Sequence, residues 1–466
     1  MTGGGEGGAF EPPNEPPPGP SKRARVDDDA TPRHLRAVEF YCGVGGLHYS
    51  LLRARPDAKV VAAFDINPNG NDVYEHNFGV RPSQKNIYGL PVASFDKLDA
   101  GLWLLSPPCQ PFTRQGHRKD KDDGRSQSFL RLLRDVVPEL DKPPTHVLVE
   151  NVVGFETSET RADAIAVFHR LGYDTREFML TPRMFGVPYS RPRYFLLAKK
   201  SAAAGGGGWS DGDWGEWLAS HSCGADGPIR APPPSRLSGH REWVPRGASC
   251  VLPAEFEGDT KAEFDARHRA RREGDGVTPK PNPADNPLYG YPVALVGAFL
   301  DGSGHDGNEG SRDANEGSRD VFSEYAVAER DAKIGLGAVD VVCRTSYKCN
   351  CFTKSYGKYV KGTGSMVTDK LVDKDAWDGT VASGAEGAEG GVRLRYFTEG
   401  EIARMHSFPS DFSFPAGVTR QQRYALLGNS LSVACVAPLI DHLLNDPSVE
   451  GERPPPRREV VGPEDA

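Results

Sequence analysis

Apolar residues along this chain fall into short runs separated by glycine, proline and charge, and the runs carry two different periods. Residues 37–41, 60–64, 102–105 and 146–149 are short, mostly apolar stretches bounded by turn formers, the pattern of strands buried on both faces of a parallel sheet. Residues 173–180 and 193–199 read as the strands that finish that sheet. Between them, residues 47–55, 126–140 and 162–171 repeat their apolar positions at helical spacing; in the second, Phe129, Leu132, Leu133, Val136, Val137 and Leu140 share a face. A last helix is expected over residues 430–444, with Val433, Val436, Ala437, Ile440 and Leu444 on the face that packs back onto the first strands. Strand and helix in alternation predict an α/β protein with one central sheet.

Composition limits how much of the chain can join that core. The 466 residues include 53 Gly and 39 Pro, and 38% are hydrophobic, which suits one large core with loose insertions. Residues 1–34 and 447–466 cannot bury enough to offset their ordering entropy and are expected to be disordered tails. The first tail holds Lys22-Arg23-Ala24-Arg25, a basic cluster of nuclear-import type. Residues 201–339 are the least interpretable. Asn-Glu-Gly-Ser-Arg-Asp occurs there at Asn308 and again at Asn315, a polar duplication with no face to bury, so residues 308–320 are expected to be dispensable. Trp209, Trp214, Trp217 and Trp243 must nonetheless pack somewhere, and the frame of a recognition domain is the expected place. Residues 379–391 are a second loose insertion.

The formal net charge of −8 disfavours non-specific coating of nucleic acid and leaves room for a local basic groove. Eight cysteines in a chain this long are no disulfide framework, and neither a secretory leader nor an apolar run of membrane length is read, so a reducing compartment, cytoplasmic or nuclear, is expected. Cys343, Cys349 and Cys351 lack a Cys-x-x-Cys pair and a following His pair, so no metal site is expected.

Candidate chemistry gathers at the ends of the predicted strands. Pro107 and Pro108 stop the ladder of residues 102–105, because proline lacks an N–H, and present Cys109 where open α/β sheets place their ligand crevice. Gly43-Val44-Gly45-Gly46 follows the first strand and Asp65 ends the second, half of a nucleoside site. The loop lacks the Gly-x-Gly-x-x-Gly spacing for a pyrophosphate, which favours a ligand whose nucleoside carries no phosphate. Residues 117–125 are dense in charge and suit a segment that closes over a substrate. The strand at 146–149 delivers Glu150 directly after its end, at the same edge as Cys109.

Pro-Pro-Cys-Gln-Pro-Phe around Cys109, with Glu150-Asn151-Val152 beyond it, resembles the cytosine-5 methyltransferase family. The likeness spans residues 37–199 and resumes from Cys351 to about Leu444. Cys351-Phe352-Thr353, with Lys354 and Gly362-Thr363-Gly364, is similar to the branch that modifies transfer RNA. The resemblance implies a Rossmann-like, S-adenosylmethionine-dependent methyltransferase fold with an inserted small target-recognition domain. It divides the chain into a first catalytic part over 35–200, a recognition domain with flexible insertions over 201–395, and a catalytic return over 396–446. It implies cofactor contacts at Tyr41, Gly43, Gly45, Gly46, Asp65, Ile66, Asn86, Ile87, Pro107, Asn429 and Ser430. Catalysis is carried over to Cys109, Glu150, Arg191 and Arg193, although Tyr189 stands where the family's Gln-x-Arg-x-Arg has its glutamine. Met405-His406-Ser407 likewise departs from the usual Leu-x-Gly. Substrate contacts are expected at Gln110, Lys348, Cys351, Phe352, Thr353, Lys354 and Lys358.

These residue types fit the reaction. Cytosine carbon 5 is a poor nucleophile until something adds at carbon 6, and a thiolate is suited to that addition. A carboxyl at N3 and an arginine on O2 can stabilise and fix the ring. The base must be extruded, which costs less in a loop than in a duplex. Lys348, Lys354, Lys358 and Lys361 interleave with Tyr347, Phe352, Tyr356 and Tyr359, a composition suited to a splayed single strand. Three readings remain: methylation of a transfer RNA, aspartate transfer RNA in the resemblance, with weaker action on DNA; methylation of DNA; and a non-catalytic nucleic-acid-binding protein. The presence of Cys109, Glu150 and Arg193 together argues against the last. Oligomeric state is not legible, and no membrane partner is expected.

Overall fold

A computed structural model describes residues 35–108, 124–201, 293–301, 320–335, 339–372 and 392–444, with residues 1, 380 and 381 and short pieces between 203 and 251. Cys109, Gln110, Trp214, Trp217, both expected tails, the charged segment at 117–123, residues 308–319 and most of 379–391 lie outside the described residues. The central sheet has six strands: β1 (Arg36–Phe40), β2 (Lys59–Phe64), β3 (Leu102–Leu105), β4 (His146–Val152), β5 (Tyr173–Leu180) and β6 (Arg193–Lys200). Their order is β2-β1-β3-β4-β6-β5. The first four are parallel, and β6 runs antiparallel to both β4 and β5. The chain crosses to one side of β1 through α1 (Gly46–Ala54) and returns through α2 (Pro68–Phe78) to the other. Connections diverge at β1, and a crevice opens beyond the carboxyl ends there.

Buried runs form the strands because both sheet faces are covered. Leu102 and Leu104 face one cluster with α1 and α7 (Val433–Leu444), while Trp103 and Leu105 face a second with Phe129, Leu132, Leu133 and Val136 and with α4 (Glu159–Arg170). Several boundaries differ from expectation. Strand β4 continues through Glu150 and Asn151, because β6 pairs with it as far as Val152 against Arg193; Glu150 is therefore inside a strand and not after one. The helix expected over 126–140 is α3 (Gly124–Arg131), which widens into π-helical turns over Leu132–Val136 and tightens at Val137–Glu139, where Pro138 cannot supply an N–H. Helix α7 starts at Val433 and is buried from Val433 to Leu443, including Asp441 and His442. A helix covered all round has no single apolar face. The stretch Arg420–Leu444 does pass for a membrane span on hydropathy and length, contrary to the sequence reading, but 83% of its most apolar window is buried, which makes it core.

The insertion is not uniformly loose. Trp243 lies under Arg53 of α1, and Arg236 pairs with Asp441 of α7. Trp209 sits beneath Arg176 of β5 and stacks on His442. These tryptophans pack on the catalytic part, not on a recognition domain as expected, since the open faces of α1, β5 and α7 need cover. Residues 293–301 dock on α5 (Glu399–Met405), where Glu401 accepts from the Asp301 amide and from Arg395. A second, three-stranded sheet holds β7 (Asp340–Val342), β8 (Ser365–Thr368) and β9 (Leu394–Arg395) in the order β9-β8-β7. Asp320, the last residue of the polar repeat, is not loose: it caps the short helix Val321–Glu324 and pairs with Arg393. A deletion must stop before it.

Candidate active site

The parallel strands bring their carboxyl ends to one edge, and the candidate residues follow. After β1 the chain turns sharply: Tyr41 has φ 59°, Gly43 φ 53° and Gly45 φ 87°. A side chain at Gly45 would strike the Phe78 ring, so this turn needs glycine for space as well as for backbone. The Asp65 carboxylate accepts the Gly43 amide at 2.8 Å and the Asn67 amide at 2.8 Å. Burial holds Asp65 above the usual carboxylate range, opposed by those amides and that of Ile66. Beside it, Ile66 is 73% exposed, an apolar surface standing in the open next to an acid. Asn86 is exposed and spends its side-chain oxygen on the Tyr88 amide, whereas the Ile87 side chain is core. Pro107 is buried at the end of β3. Across the turn, the Ser430 hydroxyl lies against Gly46, and Asn429 is exposed. An apolar platform, an acid able to accept from ribose hydroxyls and a glycine turn without phosphate spacing fit S-adenosylmethionine.

Beneath the turn sits a group the sequence did not single out. Glu39 of β1 is fully buried and accepts from Tyr74 Oη at 3.1 Å, which ties β1 to α2. Its signal was one acidic residue inside an apolar strand. Burial pushes its pKa from 4.5 up to about 8, against that hydrogen bond and the pull of the Leu47 and His48 amides. Between those values the folded protein keeps a proton that the unfolded chain has released, so this group makes stability decline as pH rises from about 5 to about 8. Glu39→Gln is expected to remove that slope, worth on the order of a few kcal/mol, in urea midpoints measured at both ends of the window. Equal slopes in the two proteins would refute a buried, protonated Glu39.

On the substrate side, β4 presents Glu150 and β6 presents Arg193, with Nε to Oε1 at 3.3 Å. The register of β4 on β6 places them together. Burial raises the Glu150 pKa, opposed by the charges of Arg193 and Arg191. Arg191 is placed otherwise than its expected substrate contact suggests. It is 1% exposed, and its guanidinium donates to Tyr189 Oη at 3.3 Å, Cys351 Sγ at 3.1 Å and the carbonyls of Phe352 at 3.1 Å and Gly428 at 2.9 Å, and to that of Ser430. Such a residue holds segments together and has no fork left for a base.

Those segments meet because the 188–190 backbone pairs with Cys349: the Ser190 amide reaches the Cys349 carbonyl at 2.9 Å, and the Cys349 amide reaches Pro188 at 2.8 Å. Helix α6 (Arg420–Asn429) approaches so closely that a side chain at Gly428 would collide with the Thr353–Lys354 backbone. Burial pushes the Cys351 thiol up, but Arg191 and Arg193 outweigh it and leave its pKa below the usual thiol value. Phe352 and Tyr356 are buried against Tyr189, Phe397 and Tyr424. They are core rings and not the stacking surfaces expected, so Phe352→Ala would report on stability before it reported on RNA. Thr353 is half-buried, and its hydroxyl accepts from the Ser355 amide at 3.3 Å. Lys348 is half-buried, while Lys354, Lys358, Tyr359 and Lys361 are exposed. From residue 343 to residue 371 the chain carries six basic residues, Arg344, Lys348, Lys354, Lys358, Lys361 and Lys370, against Asp369 alone. The acidic chain is basic along this stretch, whose Cys351 and Phe352 meet Arg191.

Comparison with known proteins agrees with the geometry. The profile of the family described as C-5 cytosine-specific DNA methylase matches residues 35–205 and 309–445. A human protein named tRNA (cytosine(38)-C(5))-methyltransferase is 35% identical, over 87% of this chain and 98% of its own. A Dictyostelium discoideum protein named DNA (cytosine-5)-methyltransferase is 31% identical, over 88% and 94%. The crystal structure of the S. pombe Dnmt2 methyltransferase is 27% identical with a TM-score of 0.57, over 88% of this chain and 98% of that one. The chain belongs to the C-5 cytosine-specific DNA methylase family and is a methyltransferase of the Rossmann-like fold.

Proposed function

We propose that this enzyme methylates carbon 5 of a cytosine in the anticodon loop of a transfer RNA, aspartate transfer RNA first among the candidates, with S-adenosylmethionine as donor. The observation that carries the choice of acceptor is the basic stretch of residues 343–371, joined to the site where Arg191 donates to Cys351 and Phe352, in an otherwise acidic chain. Exposed Lys354, Lys358 and Lys361 suit phosphates, and Tyr359, 56% exposed, suits an unstacked base. The printed name of the human relative supports the same acceptor. When bound, S-adenosylmethionine supplies an electrophilic methyl group.

Asp65 and the glycine turn would hold its nucleoside, with the exposed Ile66 available as an apolar contact. Cys109, carried by resemblance on the loop after β3, adds its thiolate to carbon 6 of the extruded ring. Glu150, whose pKa burial raises against the charges of Arg193 and Arg191, donates to N3 as electron density moves into the ring, and Arg193 orients Glu150 and faces O2. After carbon 5 is methylated, its proton leaves to solvent, the Cys109 thiolate is expelled as the 5,6 double bond returns, and N3 gives its proton back to Glu150. The test is an initial-rate assay in which total small RNA and unmethylated duplex DNA compete for labelled methyl groups, followed by bisulfite sequencing. RNA should be labelled far faster, at a loop cytosine. Faster labelling of DNA would establish the second reading, which the Dictyostelium relative's name favours.

A further inference from the structure

Tyr189 and His406 are far apart in sequence and touch in the fold. Tyr189 and His406 are wholly buried, with rings edge to face at 5.0 Å and Tyr189 Oη 3.4 Å from His406 Nε2. His406 Nδ1 is 2.8 Å from the Ile402 carbonyl. A carbonyl only accepts, so the ring proton is on Nδ1 and Nε2 is left to accept. Burial and the nearby Arg191 charge keep this imidazole neutral. Nε2 therefore draws the Tyr189 hydroxyl proton. The phenol oxygen then turns its lone pairs to the two donors that reach it, Arg191 Nη1 at 3.3 Å and the Phe352 amide at 3.3 Å.

Arg191 divides its contacts between two sides. Nη1 serves Tyr189, Cys351 and Phe352, the last two within the basic stretch. Nη2 serves the carbonyls of Gly428 and Ser430, next to the glycine turn. Tyr189 touches the first half alone. We propose that Tyr189 and His406 act as a paired positioning device for the nucleic-acid side of the site: they orient the Nη1 half of Arg191 and the Phe352 amide, and so set where residues 351–354 meet the RNA, without bearing on the cofactor half. This rests on the transfer-RNA reading above. If the two rings only filled space, the hydroxyl would be dispensable.

The experiment compares KM for transfer RNA and for S-adenosylmethionine in wild type, Tyr189→Phe, His406→Leu, His406→Gln and the Tyr189→Phe/His406→Leu double variant. Tyr189→Phe keeps the ring and removes the hydroxyl. Its contacts are at the long end of hydrogen-bond range, so RNA KM should rise roughly fivefold while the cofactor KM stays within about twofold. His406→Leu should do the same, and the double variant should be no worse than the worse single one. His406→Gln, which retains an acceptor, should recover most of the loss. An unchanged RNA KM in Tyr189→Phe, equal rises in both KM values, or additive effects in the double variant would each overturn the pair's role. The split is read on whichever acceptor the wild type uses. A wild type that labels only duplex DNA therefore overturns the substrate reading and still tests the pair.

Discussion

Glu150→Gln is expected to lose on the order of 10²- to 10⁴-fold in the methyl-transfer rate while binding S-adenosylmethionine as the wild type does. Glutamine keeps the shape of the side chain and cannot give up a proton to ring N3. The group it replaces is suited to that proton, because burial in β4 raises its pKa more than the charges of Arg193 and Arg191 lower it. The glycine turn follows β1 and Asp65 follows β2, so the cofactor should not register the change. The pH profile follows from the sign of the shift. A carboxyl that must be protonated loses function as pH rises through its raised folded pKa, so the wild-type single-turnover rate should fall on the alkaline side. The variant should lack that limb. Single-turnover rates across pH, beside calorimetric cofactor affinities, decide it, and a variant that turns over at the wild-type rate would remove Glu150 from proton transfer.

What the sequence could show depended on how local each feature is. Strands β1, β3 and β4 were legible because burial on both faces leaves a short apolar run bounded by turn formers, and prolines after β3 marked its end. The turn from Gly43 to Gly46 and Asp65 were legible as a pair, since the hydrogen bond from the Gly43 amide to Asp65 joins the ends of adjacent strands. Residues 229–243 were not. They are short of periodicity, and what orders them is distant: Ile229 bridges to Phe178 of β5, and Glu242 pairs with Arg53 of α1. The aromatic residues near Cys351 misled for a related reason. Alternating lysine and aromatic residues fit a stacking surface and a half-buried hairpin equally well, and only the fold reveals that Phe352 and Tyr356 turn inward while Tyr359 turns out. Ser407 holds φ 58°, a left-handed position that explains why glycine is usual there.

Arg191 and Arg193 looked interchangeable as a motif, and lysine substitutions should separate them. Lysine keeps the charge and loses the planar fork. At position 191 the fork donates to three carbonyls, a phenol and a thiol in a buried place, and an ammonium cannot reach acceptors spread in two directions. Acceptors left without partners there should cost about 2–4 kcal/mol of folding stability. Arg191→Lys should therefore melt earlier and weaken cofactor and RNA binding together, because it joins Ser430 to Phe352. Arg193 lies at the sheet's edge with Glu150 and its own Pro192 carbonyl as partners. Arg193→Lys keeps a charge facing Glu150, so it should cost less stability than Arg191→Lys and lose on the order of 10- to 100-fold in rate, since what it gives up is the orientation of Glu150 against the ring. Denaturant midpoints and single-turnover rates on the two variants make the comparison. A stable Arg191→Lys that loses only rate would return Arg191 to the substrate and undo its placement as the tie between the two sides of the site.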